Sequence, residues 1–158
     1  HAKRTLLSEL GWSSWDHKNF TLSVSPDRTK SLMAMTGSKE TGLEGVGSPT
    51  NQADKGPVLD EAVRRNAQLE MFDGAKMQDY MRTNGATQIW VFLYAMVNVG
   101  GEMMLRSELS LPSRFHGKKI VEWSERILFE PMSGSPGPVK IEIDPFDPVD
   151  IDVQRRAG

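Results

Sequence analysis

Apolar residues recur along the chain with two periods, and the switches between them mark its elements. Polar and apolar residues alternate from Asn19 to Ser25 and from Lys30 to Thr36, the period of half-buried strands. Pro26-Asp27-Arg28-Thr29 lies between them, with proline fixing φ and aspartate able to bond the backbone nearby. The spacing predicts a β-hairpin with Phe20, Leu22 and Val24 near one sheet face. Upstream, residues 1–18 pass from basic Lys3 and Arg4 to Trp12 and Trp15, a first strand or an irregular arm.

Periodicity then stops. Residues 37–56 hold Gly37, Gly42, Gly45, Gly47 and Gly56 with Pro49, Thr50 and Asn51, and predict a flexible Gly-rich loop. Pro57 opens a helix, at the position where its missing N–H would be unpaired anyway, and Asp60 and Glu61 suit the positive end of the dipole. Val58, Ala62, Leu69 and Phe72 fall near one stripe, with Leu59 and Val63 beside it. Asp73-Gly74 ends this helix or kinks it into a second, Ala75 to Arg82, which Asn84-Gly85 stops.

The clearest element is Gln88 to Val97, apolar on both faces and so predicted to be a central, doubly covered strand. Asn98 to Gly101 turns the chain, and Glu102 to Leu111 returns with Met103, Leu105, Leu109 and Leu111 on one side until Pro112 ends it. After a loop at 113–117, a third strand runs from about Lys119 to Glu130, with Val121, Trp123, Ile127 and Phe129 sharing a face. Residues 131–138 read as a Pro/Gly/Ser linker. Ile141 and Ile143 alternate with acids, and 145–158 reads as an extended or mobile acidic tail. The expected architecture is α+β in one domain, 1–158: an antiparallel sheet of about five or six strands with one or two helices on one face.

Composition narrows the classes. With 158 residues, 38% hydrophobic and 25% charged, the chain has the makeup of a globular domain. That size buries roughly 68–70% of the unfolded surface without a metal or disulfide staple. No cysteine occurs, which excludes disulfides, thiolate zinc sites, iron–sulfur clusters and cysteine nucleophiles. His1, His17 and His116 form no H-x-x-x-H pair. No metal and no cofactor is expected. The apolar run at 89–97 is too short to span a bilayer as a helix, so no membrane contact is expected and the cytoplasm is the default location. A net charge of -2 speaks against coating nucleic acid by bulk charge.

Four constellations carry candidate chemistry. Gln68-Leu69-Glu70-Met71-Phe72 resembles the short peptide by which bacterial DNA polymerases and repair factors dock on the sliding clamp: Gln-Leu, an acidic or small residue, then Leu-Phe. The resemblance implies that Leu69, Met71 and Phe72 bury in a partner groove while Gln68 fixes register. It covers five residues, with Met71 where the peptide has leucine. Leu69 and Phe72 are equally where an amphipathic helix places core residues. Second, strand alternation puts Arg106 with Glu108, and Glu122 with Arg126, each pair on one face of its strand. If the strands pair, Glu108 and Glu122 are candidate carboxylates for acid–base or metal work, or members of an ion-pair ladder.

Third, Arg114, Phe115, Lys118 and Lys119, with His116 and Gly117 between them, form a basic-aromatic loop suited to phosphates and a stacked base. Fourth, Glu142, Asp144, Asp147, Asp150 and Asp152 crowd near the end without the glycine and bidentate glutamate of a calcium loop. Neither a phosphate-binding glycine loop nor a G-x-S-x-G elbow is present. These features favour a non-enzymatic binding or adaptor protein with a protein partner, the sliding clamp of bacterial DNA metabolism if the pentapeptide docks. The alternatives are a small nucleic-acid-binding domain and a carboxylate- or metal-dependent hydrolase.

Overall fold

A computed structural model describes residues 8–17, 20–85 and 87–133. The expectations for 1–7, for most of the 131–138 linker, for Ile141/Ile143 and for the tail at 145–158 lie outside the described residues. The elements run β1 (Ser13–His17), β2 (Phe20–Val24), β3 (Lys30–Thr36), α1 (Pro57–Leu69), α2 (Gly74–Asn84), β4 (Gln88–Val99), β5 (Glu102–His116), β6 (Lys119–Leu128) and β7 (Met132–Ser133).

The sheet order is β1-β2-β3-β4-β5-β6, with β7 pairing β5 beyond the end of β6. Every neighbouring pair is antiparallel except β3 and β4, which run parallel from Lys30↔Gln88 to Thr36↔Tyr94. The sheet is therefore mixed, which corrects the all-antiparallel expectation. The reason is the crossover: parallel strands need a long connection, and the 37–87 segment with both helices supplies it.

Local chemistry sets the helix ends. Pro57 stands at the start of α1, and Asp60 in its first turn bonds Arg64 at 3.1 Å. Asp73 caps α2 by accepting from the Lys76 N–H at 3.0 Å, and Gly85 closes it in the left-handed region with φ 64°. Asp73-Gly74 thus starts a second helix rather than kinking the first.

Residues paired across strands point to the same face. One face carries Met33 and Met35 beside Val91 and Leu93, and these pack with Leu59 and Val63 of α1 and with Ile89 and Ile120. A smaller cluster joins Leu69 at the end of α1 to Met81, Met77 and Tyr80 of α2.

β5 does not end at Pro112. It continues to His116 through register shifts between Leu111 and Phe115. A bulge tolerates proline because the local ladder is already broken there. Broken ladders leave backbone groups that need partners. Asn66, fully buried on α1, donates to the carbonyls of Pro112 (3.0 Å) and Ile89 (2.9 Å) and accepts from the Ile89 N–H (2.9 Å). A buried asparagine on the apolar stripe is thus what joins α1 to the irregular part of the sheet.

Candidate functional site

The 37–56 connection is tied to the sheet within 37–43 and 49–55. Gly37 bridges Asn51, and Asn51, itself fully buried, accepts from the Ile120 N–H at 2.7 Å and donates to the Lys118 carbonyl at 3.1 Å. The Thr50 hydroxyl donates to the Ile120 carbonyl at 2.8 Å, and the Trp123 indole donates to the Pro49 carbonyl at 2.8 Å.

The strongest anchor is Glu108. Its row across the sheet is Met35, Leu93, Glu108 and Leu128, so its carboxylate lies on the face that α1 and the loop cover, with no exposure. Arg126 grips it with both arms, Nε to Oε1 at 2.8 Å and Nη2 to Oε2 at 2.7 Å. The Ser110 hydroxyl donates to Oε1 at 2.6 Å and the Gly42 N–H to Oε2 at 2.7 Å. Arg126 also reaches the Leu43 carbonyl at 3.0 Å, and Arg106 reaches that of Lys39 at 2.8 Å. Burial alone would raise the Glu108 carboxyl; the Arg126, Ser110 and Gly42 bonds outweigh it and hold it below the usual glutamate value.

Glu122 does not join this cluster. It faces Arg114 on the register and bonds it at 3.0 Å, with both side chains exposed. Glu108 faces Leu128, six residues further along β6, or about 20 Å of strand. The shared pocket that a two-carboxylate hydrolase requires is therefore not formed. Among the described residues, no group of three or more His, Cys, Asp or Glu side chains is placed to hold a metal ion.

The pentapeptide splits by exposure. Gln68 is exposed, Leu69 is fully buried in the α1–α2 cluster, Met71 is 83% exposed, and Phe72 packs against Tyr80 with ring centroids 5.1 Å apart. It forms the last turn of α1 and the bend after it, not an extended strand. Docking Leu69 in a groove requires that turn to unwind and the cluster to open. The helical spacing of Leu69 and Phe72, with Met81 and Tyr80 facing them, is the physical reason.

The basic-aromatic loop is largely engaged within the chain. Arg114 is paired with Glu122, and Phe115 packs against the main core. Lys119 Nζ donates to the carbonyls of Asn51 (2.9 Å) and Gln52 (2.7 Å). Lys118, at φ 68°, and His116 remain exposed at the tip.

The surface that the sequence did not single out is the sheet face turned away from α1. Two apolar rows cross it, Ala34–Phe92–Leu109–Ile127 and Met96–Leu105–Met132. The Phe92 ring lies 6.1 Å from Tyr94 and 6.2 Å from Phe129. Met96 (46%), Ile127 (42%) and Phe129 (41%) are exposed, as are Met103 and Met132. The doubly covered reading of β4 therefore holds in part: Ile89, Val91, Leu93 and Ala95 are buried on one side, and on the other Tyr94 is buried, Trp90 and Phe92 are half-buried, and Met96 is exposed. The signal was present in β4, which is apolar on both faces, together with helices enough for one side only. Among the described residues no helix is long and apolar enough to cross a membrane. Compared with known proteins, the chain matches no family model, no curated protein and no solved structure.

Proposed function

We propose that this chain is a non-enzymatic adaptor that binds a protein partner through the open sheet face, and that the partner supplies an amphipathic helix. The observation that carries this is the pair of apolar rows through Phe92 and Met96. They lie about 13 Å apart along the strands and each spans about 10 Å or more across them, the footprint of a helix of 10–12 Å diameter. The protein's own other face supports the geometry, since Leu59 and Val63 of α1 cover the Val91 and Leu93 side in the same way. Methionines at 96, 103 and 132 give the open face adaptable side chains. In the regular part of the sheet, before the β5–β6 register shifts, the charged strand residues that point to this face are Lys30 and Glu125. One lysine suits phosphate contacts poorly, so the face favours a protein over a nucleic acid.

The test uses the purified chain and a Leu/Lys amphipathic helical peptide, with a scrambled peptide of equal composition as control. Preferential binding of the amphipathic peptide, lost in Ile127→Ser/Phe129→Ser and kept in Lys118→Ala/Lys119→Ala, supports the reading. Equal binding of both peptides, or binding indifferent to the face variant, sinks it. Self-association in the ultracentrifuge that the face variant abolishes makes a second copy the occupant instead. A clamp-dependent adaptor predicts a different dependence, with binding lost on Met71→Ala and indifferent to Ile127.

A further inference from the structure

We infer that a cavity between the β2–β3 turn and the end of α2 binds a small ligand carrying an oxyanion group, a phosphate or carboxylate, held by Arg28 and Arg82. The cavity has a volume of about 450 Å³ and is lined by residues that include Asp27, Arg28, Thr29, Gln78, Arg82 and Thr87. That size lies in the range of small-molecule sites. It is separate from the open sheet face, and the inference does not rest on the adaptor reading.

Among the described residues of the lining, two carry guanidiniums, Arg28 and Arg82, and one carries a carboxylate, Asp27, which is engaged in its own turn. Its Oδ1 accepts from the Ser25 hydroxyl (2.7 Å), the Thr29 hydroxyl (2.8 Å) and the Thr29 N–H (3.0 Å), and these bonds hold the carboxyl down at about 2. Arg82 pairs with Asp79 one turn back on α2 and lies in the last turn, where a cation offsets the negative end of the helix dipole. Arg28 has neither kind of compensation: among the described residues its guanidinium makes no hydrogen bond and no ion pair. An anion at Arg28, with Arg82 beside it, supplies the partner that the Arg28 guanidinium lacks, in the bidentate geometry a guanidinium offers.

Backbone strain points to the same residue. Arg28 has φ 59°, in the left-handed region, while its N–H bonds the Ser25 carbonyl and closes the turn. Glycine or asparagine takes that conformation with less strain. An arginine there is a worse choice for the turn and a better one for the cavity. Strain of this kind clusters at functional positions.

The experiment monitors thermal unfolding of the full chain in inorganic phosphate, in malonate and in chloride at matched ionic strength, with amide NMR mapping of the same titrations. The expected result is a rise in Tm with phosphate or malonate over chloride, and shifts confined to the amides around Arg28, Arg82 and Thr87. Arg28→Gly is expected to melt about 2–4 °C higher in chloride, because the strain is gone. It should also bind the effective anion at least about tenfold more weakly, the loss of one charge-assisted contact. Arg28→Lys, which keeps charge but not the fork, should fall between. No rise with either anion overturns the inference. So does a rise undiminished in Arg28→Gly, or shifts that map to Lys118 and Lys119 instead.

Discussion

The strand pair β5–β6 carries two Arg–Glu contacts that are alike in sequence and unlike in physics. Arg114–Glu122 spans 3.0 Å near the turn, with side chains 62% and 57% exposed. Arg126–Glu108 spans 2.7 Å further along, with the carboxylate wholly buried. Water screens the first, and such pairs contribute about 0–1 kcal/mol. The second has lost its water and is satisfied only by Arg126, Ser110 and the Gly42 N–H. Its value lies less in net attraction than in the penalty for stranding one charge when the other is removed. It also holds the glycine-rich loop down, which the exposed pair does not.

Breaking the buried pair should show the largest effect. Glu108→Ala leaves Arg126 uncompensated and is expected to destabilise by about 3–5 kcal/mol in urea unfolding. Replacing both residues with leucine and methionine should recover much of that loss, as buried pairs exchanged for apolar residues often do. A loss below about 1 kcal/mol for Glu108→Ala would erase the contrast between the two pairs.

The buried pair also responds to pH. The folded Glu108 carboxyl lies below its unfolded value, so its contribution is fully present above the unfolded pKa of about 4.3. It is lost as pH falls through the lower folded value. Stability measured from about pH 6 to about pH 2.5 should decline more steeply in the wild type than in Glu108→Gln.

Gly42 tests the loop end of the device. It holds φ 76°, and a Cβ there would approach Arg106 Cβ at 2.9 Å and the Ser107 backbone nitrogen at 3.1 Å. Gly42→Ala is expected to cost about 1–3 kcal/mol and to raise amide exchange across residues 39–44. Unchanged exchange would mean that Glu108 does not pin the loop. The smallest effect belongs to the exposed pair. A double-mutant cycle on Arg114 and Glu122 should give about 0.2–1 kcal/mol at low salt and less in about 1 M salt. A coupling that survives high salt would make the two pairs equivalent.

Much of the fold is legible in the chain, and the reason is local. Alternation located β2, β3 and β5, Pro57 opened α1, and Asn84-Gly85 closed α2, because each signal acts within a few residues. The direction of β4 against β3 is not local. Nothing in the 88–97 pattern distinguishes a parallel from an antiparallel neighbour, and only the crossover decided it. Pro112 misled for a related reason: it stops a regular ladder, and the ladder there is bulged.

The candidate sites divide the same way. The sequence itself placed Arg106 with Glu108 and Glu122 with Arg126 on two consecutive strands, put Leu69 and Phe72 on one helical stripe, and left no cysteine chemistry available. Residue type and spacing suffice for those statements. Only the tertiary structure decided that Glu108 pairs with Arg126 and not with Glu122, because register and bulges fix which residues meet. Only it decided that Leu69 faces Met81, that Asn51 and Asn66 are buried against backbone groups, and that on one side of β4 Tyr94 is buried while Met96 is exposed. Burial and register are sums over distant segments, and a single stretch of sequence does not contain them.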